Sequence, residues 1–282
     1  KSLKSGQSKT IGLVVADISN PFFSMIARLI EDEAMKLGYV VIFGSSDENA
    51  EKSQSLINVY LNRQVDGFII SPTEHTEEQI RAVQKTGIPV VLIDRYFPDF
   101  PTDSVRINNK EVSEQAVDHL IGKGRNNIAI LTYKTKMAHI TDRTEGYKMS
   151  LKKHKIKVNK KLICEASYQD IEKDVRNQML NLFNGEQQVD GIFFATNSLA
   201  VLGLKVIIGL GIKVPEDLAI VSFDQSDAFD FFYAPLSYVS QCLQQLVKEA
   251  INLLIKRIQQ PGKSRNSYES VIVEAKLVTR ES

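Results

Sequence analysis

The sequence predicts an α/β fold of two similar parallel-sheet units, and three observations carry that prediction. Short apolar runs rich in Val and Ile alternate with segments of helical spacing from Ile11 onward, the pattern of a parallel sheet covered on both faces. The alternation resets near Ser104 and then runs a second time at similar length. At 282 residues, the chain exceeds what one hydrophobic core usually organises, so two cores are expected.

In the first half, Ile11–Ala16 is a buried-type strand, and Asn20-Pro21 opens a helix with a cap and a proline at its first position. That helix ends near Leu37, before Gly38. Val40–Phe43, Gly67–Ile70 and Val90–Ile93 read as strands, with helices at Glu51–Arg63 and Glu77–Thr86. In the second half, Ser104–Ile107 is extended and Glu111–Ile121 helical. Strands Ile128–Leu131, Lys161–Cys164, Gly191–Phe194 and Leu218–Phe223 then interleave with helices Thr141–His154, Ile171–Phe183 and Ser198–Leu210. A tail follows: strand Tyr238–Gln241, helix Leu243–Gln259, a polar Pro261–Ser267 loop and strand Glu269–Ala275. Such a tail can cross back to complete the first unit. Two lobes joined by several crossings form a hinge, whose cleft is a natural ligand site.

Composition narrows the function. Apolar residues are 43% and charged residues 24%, ordinary for a globular protein. Lys and Arg total 35 against 34 Asp and Glu, a net charge of +1, which gives no footprint for a polyanion. No apolar run reaches the ~20 residues of a membrane span; the longest, Val201–Leu210, is interrupted by Gly203 and Gly209. The start, KSLKSGQSKT, has no apolar signal core. Two distant cysteines, Cys164 and Cys242, read as reduced and buried and favour the cytoplasm.

Ligands of open α/β sheets bind beyond the carboxyl ends of strands, and polar or aromatic residues stand there in both halves. After the first strand come Asn20, Phe22 and Phe23; the rings fit a core, or one of them faces a sugar while the amide bonds its hydroxyls. Asp94-Arg95 is either a turn ion pair or a grip on vicinal hydroxyls. Arg143 falls in the expected first turn of its helix, against the dipole. Tyr168, Asn197, Asp224 and Gln241 follow or end later strands, where capping alone would account for Asn197 and Asp224. The set suits an uncharged polyhydroxylated ring. There is no G-x-x-x-x-G-K-[ST], G-x-G-x-x-G or G-x-S-x-G, and the histidines do not cluster with cysteine. No enzyme, cofactor or metal is therefore expected.

At these residues the sequence resembles a family. Thr10–Phe23 (TIGLVVADISNPFF), Val90–Arg95 (VVLIDR), Asp142–Gly146 (DRTEG), Ala195–Gly203 (ATNSLAVLG), Asp217–Asp224 (DLAIVSFD) and Pro235–Gln241 (PLSYVSQ) look like the lactose/galactose-repressor family. They are also similar to the related periplasmic ribose-binding proteins. The resemblance implies two Rossmann-like lobes of the type I periplasmic-binding-protein kind, joined by three crossover strands. The expected division is a hinge remnant at 1–9, an N-terminal lobe of 10–105 plus 241–269, and a C-terminal lobe of 106–240 plus 270–282. It also places the ligand on Asn20, Phe22, Phe23, Asp94, Arg95, Arg143, Tyr168, Asn197, Asp224 and Gln241, with rings sandwiching a ribose-like or other neutral monosaccharide. Ser198, Ser222, Tyr238 and Cys242 depart from the family's usual Asp, Gly, Thr and Pro.

Two classes fit that resemblance: a cytoplasmic, sugar-responsive repressor core and a periplasmic receptor of a transport system. Residues 3–10 look like the tail of a repressor hinge, which favours the first. The expectation is a ligand-sensing, dimer-forming core without its DNA-binding headpiece, meeting operator DNA only through that headpiece. Sugar and DNA affinities would then be reciprocally coupled. The dimer surface is expected on helices such as Glu51–Arg63 and Glu77–Thr86.

Overall fold

The structure is a computed structural model that describes residues 7–185, 188–260 and 267–282. Two units emerge, unit 1 within Lys1–Ile107 and Cys242–Val273, and unit 2 within Asn108–Gln241 and Glu274–Ser282. The chain passes between them three times, after Ile107, Gln241 and Val273.

In unit 1 the elements are β1 (Thr10–Val15), α1 (Pro21–Lys36), β2 (Val40–Ser45), α2 (Ala50–Asn62), β3 (Gly67–Ile70), α3 (Glu77–Lys85), β4 (Val90–Ile93) and β5 (Asp103–Ile107). Unit 2 carries α4 (Asn109–Gly122), β6 (Ile128–Tyr133), α5 (Ala138–Lys153), a 3-10 turn (Lys160–Leu162), β7 (Ile163–Ala166), α6 (Ile171–Asn184), β8 (Gly191–Phe194), α7 (Asn197–Gly209), β9 (Ala219–Phe223), α8 (Ala228–Phe231) and β10 (Ser237–Ser240). The tail adds α9 (Leu243–Gln259) and β11 (Ser270–Val273) to unit 1 and β12 (Lys276–Val278) to unit 2.

The sheets repeat one another. Unit 1 orders its strands β11-β5-β4-β3-β1-β2 and unit 2 orders its strands β12-β10-β9-β8-β6-β7. Every paired neighbour is parallel except β10 with β12. Local bonds repeat too. The Asp66 carboxylate, ahead of β3, accepts the N–H groups of Ser8 and Lys9 at 2.8 Å each. The Asp190 carboxylate, ahead of β8, accepts those of Asn126 and Asn127 at 3.0 and 2.9 Å. Each acid ties the entry of its unit's first strand to the third.

Several expectations shift. The single expected strand Glu269–Ala275 is two strands in different sheets: β11 pairs with β5 from Ser270↔Ser104 to Val273↔Ile107, and β12 runs antiparallel to β10. Ser270–Val273 therefore belongs to unit 1, as do Arg106 and Ile107, while Gln241 belongs to unit 2. The ladder decides this, since β5 stays bonded to β4 through Val105. Helix α5 starts at Ala138, so Arg143 lies in its second turn and does not oppose the dipole at the first. Asn197 is the first residue of α7, and the cap is Thr196, whose side chain accepts from the Leu199 N–H. Strand β7 begins at Ile163 because the 3-10 turn takes Lys160–Leu162. Cys164 is buried, but Cys242 is only half-buried. Of the expected Pro261–Ser267 loop and 1–9 segment, residues 261–266 and 1–6 lie outside the described residues.

In unit 1, α2 and α3 cover one core through Ile57, Tyr60, Ile80 and Val83, packed with Val14, Phe68, Ile70 and Leu92 of the strands. Helix α9 lies against α1 and strands β3 to β5, burying Leu246, Val247, Ala250 and Leu254. Its Arg257 donates to both oxygens of Asp103 on β5, at 2.8 and 2.7 Å. Exposed large apolar side chains gather on α1, β2 and α2 (Met25, Met35, Val40, Phe43, Val59) and, in unit 2, on Ile208, Phe231 and Tyr233. Helix α3, expected to offer an apolar surface, carries no large exposed hydrophobic residue.

Unit 2 has its tightest crossing where α5 meets α4. A Cβ at Gly146 would stand 2.3 Å from the Lys110 carbonyl oxygen and 2.8 Å from the Ser113 Cβ. Gly122, at the end of α4, faces open space. Gly146→Ala is expected to destabilise by about 3 kcal/mol, the upper range for overpacking against backbone. Gly122→Ala should be neutral or stabilise by up to about 1 kcal/mol. Urea denaturation of both variants checks the pair; equal stabilities would contradict the packing described.

Candidate functional site

Two sets of candidate residues stand near strand ends, one set in each unit. In both, an aspartate immediately follows a strand in the left-handed conformation: Asp94 after β4 with φ +66°, and Asp224 after β9 with φ +65°. Such backbone is uncommon outside glycine and is found disproportionately at functional positions. Each is held by the same bond. The Asp94 N–H donates to Val105 O on β5 at 2.9 Å, and the Asp224 N–H to Val239 O on β10 at 3.0 Å. The duplication thus presents equivalent carboxyl groups from equivalent corners.

In unit 1, Asn20 caps α1, its Oδ1 accepting the Phe22 N–H at 3.0 Å. Phe22 and Phe23 meet edge to face, with centroids 5.0 Å apart, and both are buried. The Arg95 guanidinium carbon lies 5.2 Å from the Phe23 ring centroid, within cation–π range. Arg95 grips Glu48 with both terminal nitrogens, at 2.8 and 2.6 Å, and reaches Pro72 O at 3.4 Å. Its Nε stands 3.9 Å from Asp94 Oδ2. The expected Asp94–Arg95 pair is therefore a triad, in which Glu48 fixes the guanidinium plane and Asp94 stands beside it.

In unit 2, Arg143 donates from Nε to Asn109 Oδ1 at 2.9 Å and from Nη1 to Ala195 O at 2.8 Å. Its guanidinium lies over Phe223, 3.5 Å from the centroid. Gln241 donates from Nε2 to Asp224 Oδ1 at 2.5 Å. The Gln241 Oε1 is buried and has no hydrogen-bond partner among the described residues. Burial pushes the Asp224 carboxyl pKa up, opposed by the charge of Arg143 and the bond from Gln241. A carboxyl raised above its ordinary 3.8 holds its proton more tightly folded than unfolded. Its stabilising effect is complete below 3.8 and is lost as pH rises through the folded pKa. Arg143 and Gln241 thus offset only part of the cost of ionising Asp224.

Asn197 joins this group through Gln225, the residue after Asp224, its Nδ2 lying 3.5 Å from Gln225 O, while its Oδ1 accepts the Ser198 N–H at 2.7 Å. Tyr168 is half-buried and stacks on Tyr133 at the end of β6, with centroids 4.1 Å apart and planes 18° from parallel. So Phe22, Phe23, Asp94 and Arg95 come together in unit 1, and Arg143, Asp224 and Gln241 in unit 2. Tyr168 forms its own stack with Tyr133. Sequence reasoning missed Glu48, Asn109 and Tyr133. Glu48 has positive φ (+56°) and lies just beyond β2, so a search of every strand end for acids would have raised it. Its pairing with Arg95, 47 residues away, has no local signal.

A family model described as "Periplasmic binding protein-like domain" matches residues 117–282. A Paenibacillus polymyxa protein described as "Probable HTH-type transcriptional regulator EndR" is 29% identical over 276 residues, spanning 96% of this chain and 80% of its own. The ribose operon repressor of Haemophilus influenzae is 28% identical over 282 residues, spanning 100% of this chain and 83% of its own. Among solved structures, the transcription regulator CcpA of Lactococcus lactis superposes with a TM-score of 0.86 at 25% identity, over 97% of this chain and 98% of its own.

Removing one member of a buried ion pair leaves the other charge uncompensated, at a cost of about 3 kcal/mol or more. The side chains of Arg95 and Glu48 are 5% and 16% exposed. Glu48→Gln is expected to destabilise by about 3 kcal/mol, measured by urea denaturation at neutral pH. A change below about 0.5 kcal/mol would show that Glu48 does not brace Arg95.

Proposed function

The chain belongs to the periplasmic binding protein-like family and is an effector-binding domain of the lactose-repressor-family kind, and on that premise we propose that it senses a monosaccharide-sized, hydroxyl-rich ring. Both residue sets serve that one ligand: Asn20, Phe22, Phe23, Asp94 and Arg95 from unit 1, and Arg143, Tyr168, Asn197, Asp224 and Gln241 from unit 2. The observation that carries the reading is the buried Arg143–Asp224–Gln241 group, in which the Gln241 Oε1 has no donor among the described residues. A ligand hydroxyl donates and accepts, so it satisfies an amide oxygen and a carboxylate while taking a bond from a guanidinium. Apolar ring faces suit Phe22, Phe23 and Tyr168. The relative named for the ribose operon makes pentoses the first ligands to test.

The role is regulatory rather than catalytic. Ligand binding in a transcriptional regulator changes its affinity for operator DNA, and the two affinities are reciprocally coupled. A cytoplasmic setting follows from that role. Association as a homodimer would cover the apolar strip of α1, β2 and α2, with Val40 65% and Phe43 58% exposed; a two-fold interface places the same strip on both subunits.

A melting-shift panel of monosaccharides, pentoses first, tests the assignment. A site filled at 100 times its dissociation constant adds about 2.7 kcal/mol of stability. The expected result is a shift with at least one sugar that Arg143→Ala abolishes. No shift across the panel, or an equal shift in Arg143→Ala, would overturn the proposal.

A further inference from the structure

Every fully buried arginine of the two sets is matched by an acceptor, Arg95 by Glu48 and Arg143 by Asn109 and Ala195. Arg106 is different. It lies at the carboxyl end of β5, half-buried, and its Nε is enclosed without a hydrogen-bond partner among the described residues. No carboxylate pairs with it among them. Among the described residues its head group lies against the face of Tyr96, 4.3 Å from guanidinium carbon to ring centroid. That stacking orients the guanidinium, whose donors make no hydrogen bond among the described residues.

Its position ties it to the candidate site. The peptide joining Val105 to Arg106 is the one whose carbonyl accepts the Asp94 N–H, at 2.9 Å. Tyr96 follows Arg95 directly. Arg106 thus shares the corner that presents Asp94, on the sheet edge where ligands of such folds bind. A half-buried guanidinium with no counter-charge among the described residues suits an oxyanion, which it holds through paired N–H donors.

We infer that Arg106 is a specificity-determining residue whose guanidinium receives an acidic substituent, a phosphate or carboxylate, carried by the ligand ring. This rests on the ring-binding reading above and extends it, since the set already described handles the hydroxylated ring and Arg106 handles the charge. The preferred effector is then a sugar phosphate or a sugar acid rather than the parent sugar.

The test is calorimetric titration of ribose and glucose, each against its phosphate monoester and its sugar acid, with inorganic phosphate alone as a further arm. The expected result is that an acidic member binds about tenfold or more tightly than its parent. The ester and acid arms show which oxyanion it is. Arg106→Gln should bring that ratio towards one, and Arg106→Lys should retain part of it. Parent sugars that bind as tightly as their acidic forms would overturn this inference and leave the ring reading standing. So would an unchanged ratio in Arg106→Gln, or inorganic phosphate binding as tightly as the ester. Failure of every ligand to bind would overturn the ring reading and this inference with it.

Discussion

Burial of ionised and amide groups at the carboxyl ends of parallel strands is the constraint on which the rest of this structure depends. Asp94, Arg95, Arg143, Asn197, Asp224 and Gln241 are all between 2% and 7% exposed. Charged groups removed from water must be paired or neutralised, so these residues dictate much of the loop geometry around them. Left-handed backbone at Asp94 and Asp224 is the local consequence: it turns the chain out of the strand and still bonds a carbonyl of the neighbouring strand, Val105 O or Val239 O.

The two units meet that constraint differently. Unit 1 neutralises Arg95 internally through Glu48, reached from the end of β2. Unit 2 leaves more open. Arg143 donates to Asn109 and a backbone carbonyl, and Asp224 is supported by Gln241, whose own oxygen has no hydrogen-bond partner among the described residues. An arrangement of this kind sacrifices stability, because a buried polar group without a partner costs free energy. The same sheet order, repeated in both units, provides each with its own set of such groups from one duplicated plan.

Much of this was legible in the sequence where the physics is local. Continuous Val- and Ile-rich runs fixed Gly67–Ile70, Val90–Ile93 and Gly191–Phe194 to the residue, because a strand buried on both faces must be apolar throughout. The amphipathic repeat of α9 and the Asn-Pro start of α1 were equally plain. The start of α5 was not, since Met137 supplies no side-chain cap. The split of the last apolar run into β11 and β12 was hidden too, because pairing with β5 rather than β10 is decided by residues more than 160 positions away. Candidate site residues followed from strand-end position and polarity. Their partners Glu48 and Asn109 did not, since both arrive from distant segments.

The measurement that tests this account most directly is a carbon-13 NMR titration of the Asp224 carboxyl in the ligand-free protein. With burial outweighing the help of Arg143 and Gln241, the midpoint is expected above the ordinary 3.8. A midpoint at or below 3.8 would mean that the acid is already fully compensated by the protein, and that no ligand is needed to complete the group.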